Sequence, residues 1–308
     1  MKGVLKYELT PMPLSLFKTD DAPIICKSKS VLKATLQVDV NTRTTSPDFS
    51  ILDGCAILWI IHWPSNGTLQ NYITSLCKYV MDHLFKHATS IIFDRYYDFS
   101  IKSVTREARN VTQSSKQVKL VLNGPLPPKN VVLTNKNNKK QLIRFLVDAL
   151  IKMQLPNSNK KLLVTGPDPV PIEVTIDGLK RREDLKTFHE EADTIIVSQM
   201  LSMVEAGYRQ IEIESDDTDV FVILIHHFNI NKLRKNSPAV DVVMNTTSLS
   251  SKSVSIAETL ASLPDNVAAN LLAAHCLSGC DTVSQMFSIG KKKVVKVLMH
   301  NMVPIWSI

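Results

Sequence analysis

The chain has 308 residues, 44% of them hydrophobic and 21% charged, with 9 glycines and 15 prolines. That composition excludes a disordered or collagenous protein and allows one large core or two smaller ones. With 36 basic against 29 acidic residues the formal charge is +7, which favours a polyanionic partner, although excess lysine also serves solubility. Apolar runs such as 56–61 and 220–225 are too short to span a bilayer and no basic-then-apolar leader opens the chain, so an intracellular protein without a membrane partner is expected. Cys26, Cys55, Cys77, Cys276 and Cys280 form an odd set with no C-x-x-C pair and read as reduced, buried thiols. Neither His275 with Cys276 and Cys280 nor His226 with His227 has the spacing of a zinc module.

Residues 1–50, with Leu14, Phe17 and an alternating stretch at 31–40, are expected as a flank docked on a domain that fills 51–308. Residues 51–61 are an apolar, β-favouring run. Residues 67–87 carry helical spacing through Leu69, Tyr72, Ile73, Leu76, Tyr79, Val80 and Leu84, and 90–93 is a short apolar strand, which completes a βαβ unit. Residues 110–186 read as a surface excursion. It holds the break Gly124-Pro125-Leu126-Pro127-Pro128, the run Lys136-Asn137-Asn138-Lys139-Lys140, and then Gly166-Pro167-Asp168-Pro169 and Lys180-Arg181-Arg182. Within it, 141–153 has helical spacing and 161–164 is a short strand. Further on, the pattern predicts a helix over 190–205 stopped by Gly207, strands over 210–213 and 240–244, and helices over 255–263 and 265–277. This alternation implies an α/β fold with a mostly parallel central sheet flanked by helices and a helical C-terminal part.

Three acid clusters punctuate the second half: Glu190-Glu191-Ala192-Asp193, Asp216-Asp217-Thr218-Asp219 and Ser278-Gly279-Cys280-Asp281. Like charges gathered at the edge of a core cannot all stay ionised unless protons or metal ions neutralise them. In an open parallel sheet the carboxyl ends of the strands share one crevice. Asp53 at the end of the first strand, Asp94 after the second, and Asp217 and Asp219 after 210–213 would meet there. Glu191 and Asp193 would join from the first turn of a helix, where the dipole favours carboxylates, and Asp281 from the end of 265–277. Seven carboxylates can hold two divalent ions, an arrangement suited to phosphodiester cleavage. Setting those seven aside leaves 36 basic residues against 22 acids, a surplus of about 14 elsewhere on the chain. Taken singly, each cluster also fits a solvated turn or helix start. A calcium loop is excluded because Val220-Phe221-Val222 follows Asp219 where a glycine and a later glutamate are required.

The ordered set resembles the flap endonuclease and XPG group of structure-specific nucleases within the PIN-like, 5′-3′ exonuclease-like fold. The likeness covers most of 51–298. Leu52-Asp53-Gly54 is similar to the family's first strand acid, Ile92-Phe93-Asp94 followed by Lys102 and Arg109 to its second acid and basic gateway helix, and Glu191-Ala192-Asp193 to its E-A-E. Asp217-Thr218-Asp219 resembles its D-x-D, and Gly279-Cys280-Asp281 its G-C-D. The surrounding phrases His189 to Thr194, Ser215 to Val220 and Leu277 to Thr282 are closer still to little-characterised PIN-like proteins abundant in invertebrate genomes.

The resemblance implies a divalent-metal-dependent nuclease, with Mg²⁺ or Mn²⁺ as two ions. Asp53, Asp94, Glu191 and Asp193 would serve one, and Asp217, Asp219 and Asp281 the other. Lys102 and Arg109 would neutralise the scissile phosphate. A helix-hairpin-helix-type segment over 282–300, with Ser288, Gly290, Lys291, Lys292 and Lys293, would grip duplex phosphates, although a lysine run after a turn fits a solvated helix start equally well. The implied partner is nucleic acid, DNA ahead of RNA, and the implied location is the nucleus. The chain departs from the family where about fifty residues precede Asp53 and where a Pro-rich stretch and a strand replace the helical arch, so flap threading is not implied. Two rivals remain: a non-catalytic nucleic-acid- or protein-binding module that keeps the fold, and a phosphatase on small phosphoesters, which leaves the basic hairpin without a role.

Overall fold

The computed structural model describes residues 15–17, 24–26, 28–40, 46–97, 116–156, 159–233, 239–247, 253–280 and 283–300. The N-terminal flank supplies helix α1 (Ser30–Leu36), whose Leu32 and Leu36 are buried, and a short strand β1 (Asp39–Val40). Strand β2 (Phe49–Asp53) is buried at every position. The expected strand over 51–61 is therefore cut in two: Asp53 accepts from the amides of Cys55 and Ala56, and the apolar residues after it wind into α2 (Gly54–Ile60). An N-cap carboxylate satisfies helix amides that a strand would have paired with a neighbour. Helix α3 (Leu69–Leu84) follows the expected spacing and starts on a Thr68–Asn71 capping box, and β3 (Ala88–Ile92) runs parallel to β2.

The stretch read as a surface excursion is corrected by the elements it contains. Helices α4 (Lys129–Thr134) and α5 (Lys136–Leu150) are followed by strands β4 (Leu162–Thr165), β5 (Ile172–Thr175) and β6 (Gly178–Arg181), which extend the sheet. The polar run 136–140 is the first turn of α5. Asn135 caps it by accepting from Asn137 and Asn138, while Leu142, Leu146 and Leu150 line its buried face.

Beyond it lie α6 (Ala192–Glu205), β7 (Gln210–Glu214), α7 (Thr218–Ile230), β8 (Asp241–Asn245), β9 (Ser253–Ser255), α8 (Ile256–Ser262), α9 (Asp265–Leu277) and α10 (Lys291–His300). Helix α7 is apolar on most of its faces, the mark of a buried helix rather than a strand. The strands form one sheet in the order β1-β9-β8-β7-β2-β3-β4-β5-β6. Its centre, β8 through β4, is parallel, but both margins are antiparallel, so the mostly parallel sheet is corrected to a mixed one. The β5–β6 loop is too short for the crossover that a parallel pair needs.

Alternating side chains of the central strands feed two cores. Phe49, Ile51, Ile211 and Ile213 pack with α1, α6, α7, α9 and α10 on one face, while Leu52, Ile91, Leu162 and Val164 pack with α2, α3, α4 and α5 on the other. Among the described residues no helix is long and apolar enough to cross a membrane.

Candidate metal centre

The acids stand at the carboxyl edge of the parallel strands, each tied to a helix start. Asp53 ends β2 and caps α2 through Oδ1, and its Oδ2 accepts from the Ser215 hydroxyl at 3.0 Å. Asp94 follows β3 and reaches across to α6, where its Oδ1 accepts from the Ala192 amide at 3.0 Å. Glu191 is the N-cap residue of α6 and makes no side-chain cap, so Asp94 takes over that role in trans. Asp193 lies in the first turn of α6, Asp217 caps α7 by accepting from the Asp219 amide at 2.8 Å, and Asp219 occupies the first turn of α7. Helix N-termini carry partial positive charge, which is why acids tolerate this crowding.

Asp193, Asp217 and Asp219 each bring an oxygen within 4.8 Å of the other two. Asp193, expected to serve an ion with Asp53, Asp94 and Glu191, thus also stands beside the Asp217–Asp219 pair. Three carboxylates offer the hard oxygen donors that suit Mg²⁺ or Mn²⁺, so the residues present fit such an ion. Lys102, Arg109 and Asp281 lie outside the described residues.

Charge is unevenly distributed around the crevice. Burial pushes the Asp53 carboxyl up to about 6, opposed by the Ala56 amide and reinforced by Asp94. Burial also acts on Asp219, but the hydrogen bond from His275 and the charge of Lys29 outweigh it and hold the carboxyl down at about 2.

Lys29 carries no local signal in the sequence, yet it reaches the acids. Its Nζ sits 3.1 and 3.3 Å from the two oxygens of Asp217 and 3.2 Å from Asp219 Oδ2, so an ammonium from the N-terminal flank neutralises the acids a divalent ion would use. Lys29→Gln should therefore tighten Mn²⁺ binding about tenfold, a gain of about 1.4 kcal/mol. Calorimetry that finds equal affinity would show that Lys29 and the ion do not compete.

Lys139, from the run expected to be surface lysines, faces the other acids. Burial opposes its charge, yet Cys55, Asp94 and Asp53 raise its pKa above the ordinary value. Cys55 itself is pushed up to about 12, chiefly by burial.

Arg95 builds the frame behind Glu191. It is 1% exposed, and its guanidinium donates to the carbonyls of Gly166 at 3.0 Å, His189 at 3.0 Å, Asp168 at 3.1 Å, Pro169 at 3.3 Å and Thr187, while its amide donates to Glu190 at 2.7 Å. One side chain thus ties the end of β3 to the two segments that lead into β5 and α6. A basic residue directly after a strand-end acid is the only local hint of this.

In the C-terminal segment, Gly279 follows the C-cap Ser278 of α9 at φ +88, and a Cβ there would lie 2.7 Å from that of Gln285. The glycine of the Gly279-Cys280-Asp281 motif is thus required sterically. Within the hairpin segment Ser288 adopts a left-handed φ of 61. Lys292 and Lys293 are exposed, but Lys291 is 2% exposed and bonded to His275, which removes it from the expected phosphate grip. Position 291 shares a stripe with buried Val295 and Leu298, at helical spacing i, i+4, i+7.

No protein-family model matches the chain, and no curated protein matches it. Among solved structures, the catalytic core of Rad2 in complex with DNA substrate is similar to it, at 14% identity and a TM-score of 0.47 over 89% of this chain and 67% of that one. A second complex of the same core is 12% identical, also at a TM-score of 0.47, over 89% of this chain and 69% of its own.

Proposed function

We propose that the chain is a divalent-metal-dependent nuclease that hydrolyses phosphodiester bonds in nucleic acid by a two-metal mechanism, structure-specific and acting on DNA, as a PIN-like protein close to the invertebrate-expanded group and located in the nucleus. The observation that carries this reading is the group Asp193, Asp217 and Asp219, whose oxygens lie within 4.8 Å of one another at the carboxyl edge of the sheet. When bound, divalent ions supply a water of lowered pKa and counter-charge for the leaving oxygen. Asp193, Asp217 and Asp219 would hold one ion, with Asp281 proposed beside them, and Asp53, Asp94 and Glu191 would serve the second. Asp53 is oriented for this by Ser215, and Asp94 by the first amide of α6. Lys102 and Arg109 are proposed to neutralise charge at the reacting phosphate.

The exposed Lys292 and Lys293, with the backbone around Ser288 and Gly290, are proposed to hold a duplex backbone in a helix-hairpin-helix-type segment. Lys292→Ala with Lys293→Ala should make the salt dependence of duplex binding shallower by roughly one log-log unit for each phosphate no longer neutralised, at every sequence alike. An unaltered slope would leave these lysines as a solvated helix start.

One observation favours a second reading, a non-catalytic module that keeps the fold. Lys29 already satisfies Asp217 and Asp219 from within the chain, so the acids have a use without metal. A panel of flap, bubble, hairpin, single-stranded and duplex substrates with Mg²⁺ or Mn²⁺ decides between the two. Metal-dependent cleavage of any of them supports the nuclease, and Mn²⁺ binding without cleavage of any supports the module.

A further inference from the structure

The lysine that opens α10 points inward. Lys291 Nζ donates to Nδ1 of His275 at 3.0 Å and to the carbonyl of His275 at 2.7 Å, and the ring's Nε2 lies 2.8 Å from Oδ1 of Asp219. Lys291 and His275 are 2% and 4% exposed. An ammonium has donors and no acceptor, so Nδ1 must accept. The imidazole proton is thereby left on Nε2, where it donates to Asp219. With Oδ1 engaged, Asp219 turns Oδ2 towards Lys29, 3.2 Å away, and towards the Asp217 carboxylate that the same ammonium bridges.

We propose that Lys291 and His275 are positioning residues for Asp219: the chain Lys291–His275–Asp219 fixes the place of the ring and, through it, which carboxylate oxygen is offered to a divalent cation. The proposal rests on the metal reading above. It replaces the expected role of Lys291 as a phosphate contact and makes the first residue of α10 part of the support of the acid group. Anchoring alone is a weaker account of this lysine. Val295 and Leu298 already bury α10 against the core, and an apolar side chain of similar volume at 291 would pack there without a desolvated charge. Hydrogen-bond partners behind a ligating carboxylate commonly govern metal affinity by about 10- to 100-fold.

The test uses the full chain. In metal-free protein, ¹⁵N NMR of the His275 ring should show the Nε2–H tautomer in both wild type and Lys291→Met, because the Asp219 carboxylate can only accept. Lys291→Met should instead move the Nδ1 resonance towards that of an imidazole nitrogen that accepts no hydrogen bond; an unmoved Nδ1 resonance would overturn the Lys291 link. Mn²⁺ titration calorimetry should give an affinity about tenfold weaker for Lys291→Met. His275→Leu should weaken binding similarly, whereas His275→Gln, which keeps a nitrogen donor in the place of Nε2, should recover most of the loss. An anchoring role would not separate glutamine from leucine. If Lys291→Met fails to fold, the two His275 variants decide alone: equal affinities overturn the proposal and a glutamine advantage supports it. Wild-type protein that binds Mn²⁺ no better than Lys291→Met overturns the positioning role alone. Wild-type protein that binds no Mn²⁺ overturns the metal reading and this proposal with it.

Discussion

Asp217→Asn combined with Asp219→Asn is expected to abolish both Mn²⁺ binding and metal-dependent cleavage while the protein stays folded. Two of the three carboxylates that converge within 4.8 Å are removed, and an amide oxygen is a poor substitute for an anionic donor. The fold should survive because asparagine still caps α7 by accepting from the residue 219 amide, and Lys29, a quarter exposed, can be hydrated when its anions go. The unfolding free energy should fall by about 2 kcal/mol, because Asp219 gives up the His275 and Lys29 interactions that hold its carboxyl down. Denaturant melts and calorimetry on the same preparation check both halves. Retained turnover in a variant that no longer binds Mn²⁺ would show that the chemistry lies elsewhere.

The second large effect is on stability. Asp53 is 6% exposed, and its carboxyl is pushed up to about 6 from 3.8, chiefly by burial. A folded-state pKa above the unfolded one means that the protonated acid is favoured by folding. Its contribution is fully present below about pH 4 and is lost as pH rises through about 6. At neutral pH the ionised acid then costs the metal-free protein about 3 kcal/mol. Asp53→Asn keeps the α2 cap and removes the charge, so it should stabilise the metal-free protein at pH 7 by up to that amount. It should also flatten the decline in stability between pH 4 and 7. Parallel stability profiles for the two proteins across that range would show that Asp53 carries no such strain.

The described acids were legible because each stands where a local rule places it, at a strand end or in the first turn of a helix. The lysines and the histidine that answer them were not. Lys29 meets Asp217 across 188 positions, and His275 meets Asp219 across 56, separations at which no spacing rule operates. Helix α7 escaped notice for a different reason: burial on nearly all sides erases the periodicity that would distinguish it from a strand. The lysine run at 291–293 misled because composition reports three cations, whereas a helix turning about 100° per residue sends one inward and two outward.

Caps, turns and periodicity are local, so residues such as Thr68, Asn135 and Asp217 specify where helices begin regardless of what lies beyond them. Whether the margins of the sheet run antiparallel, whether Asp193 meets Asp217 and Asp219, and which ammonium enters the acid crevice depend on how two cores close over opposite faces of β2, β3 and β7. That closure brings together side chains from α1, α5, α9 and α10 whose meeting is set by packing volume and buried charge, and neither quantity exists until the chain is folded.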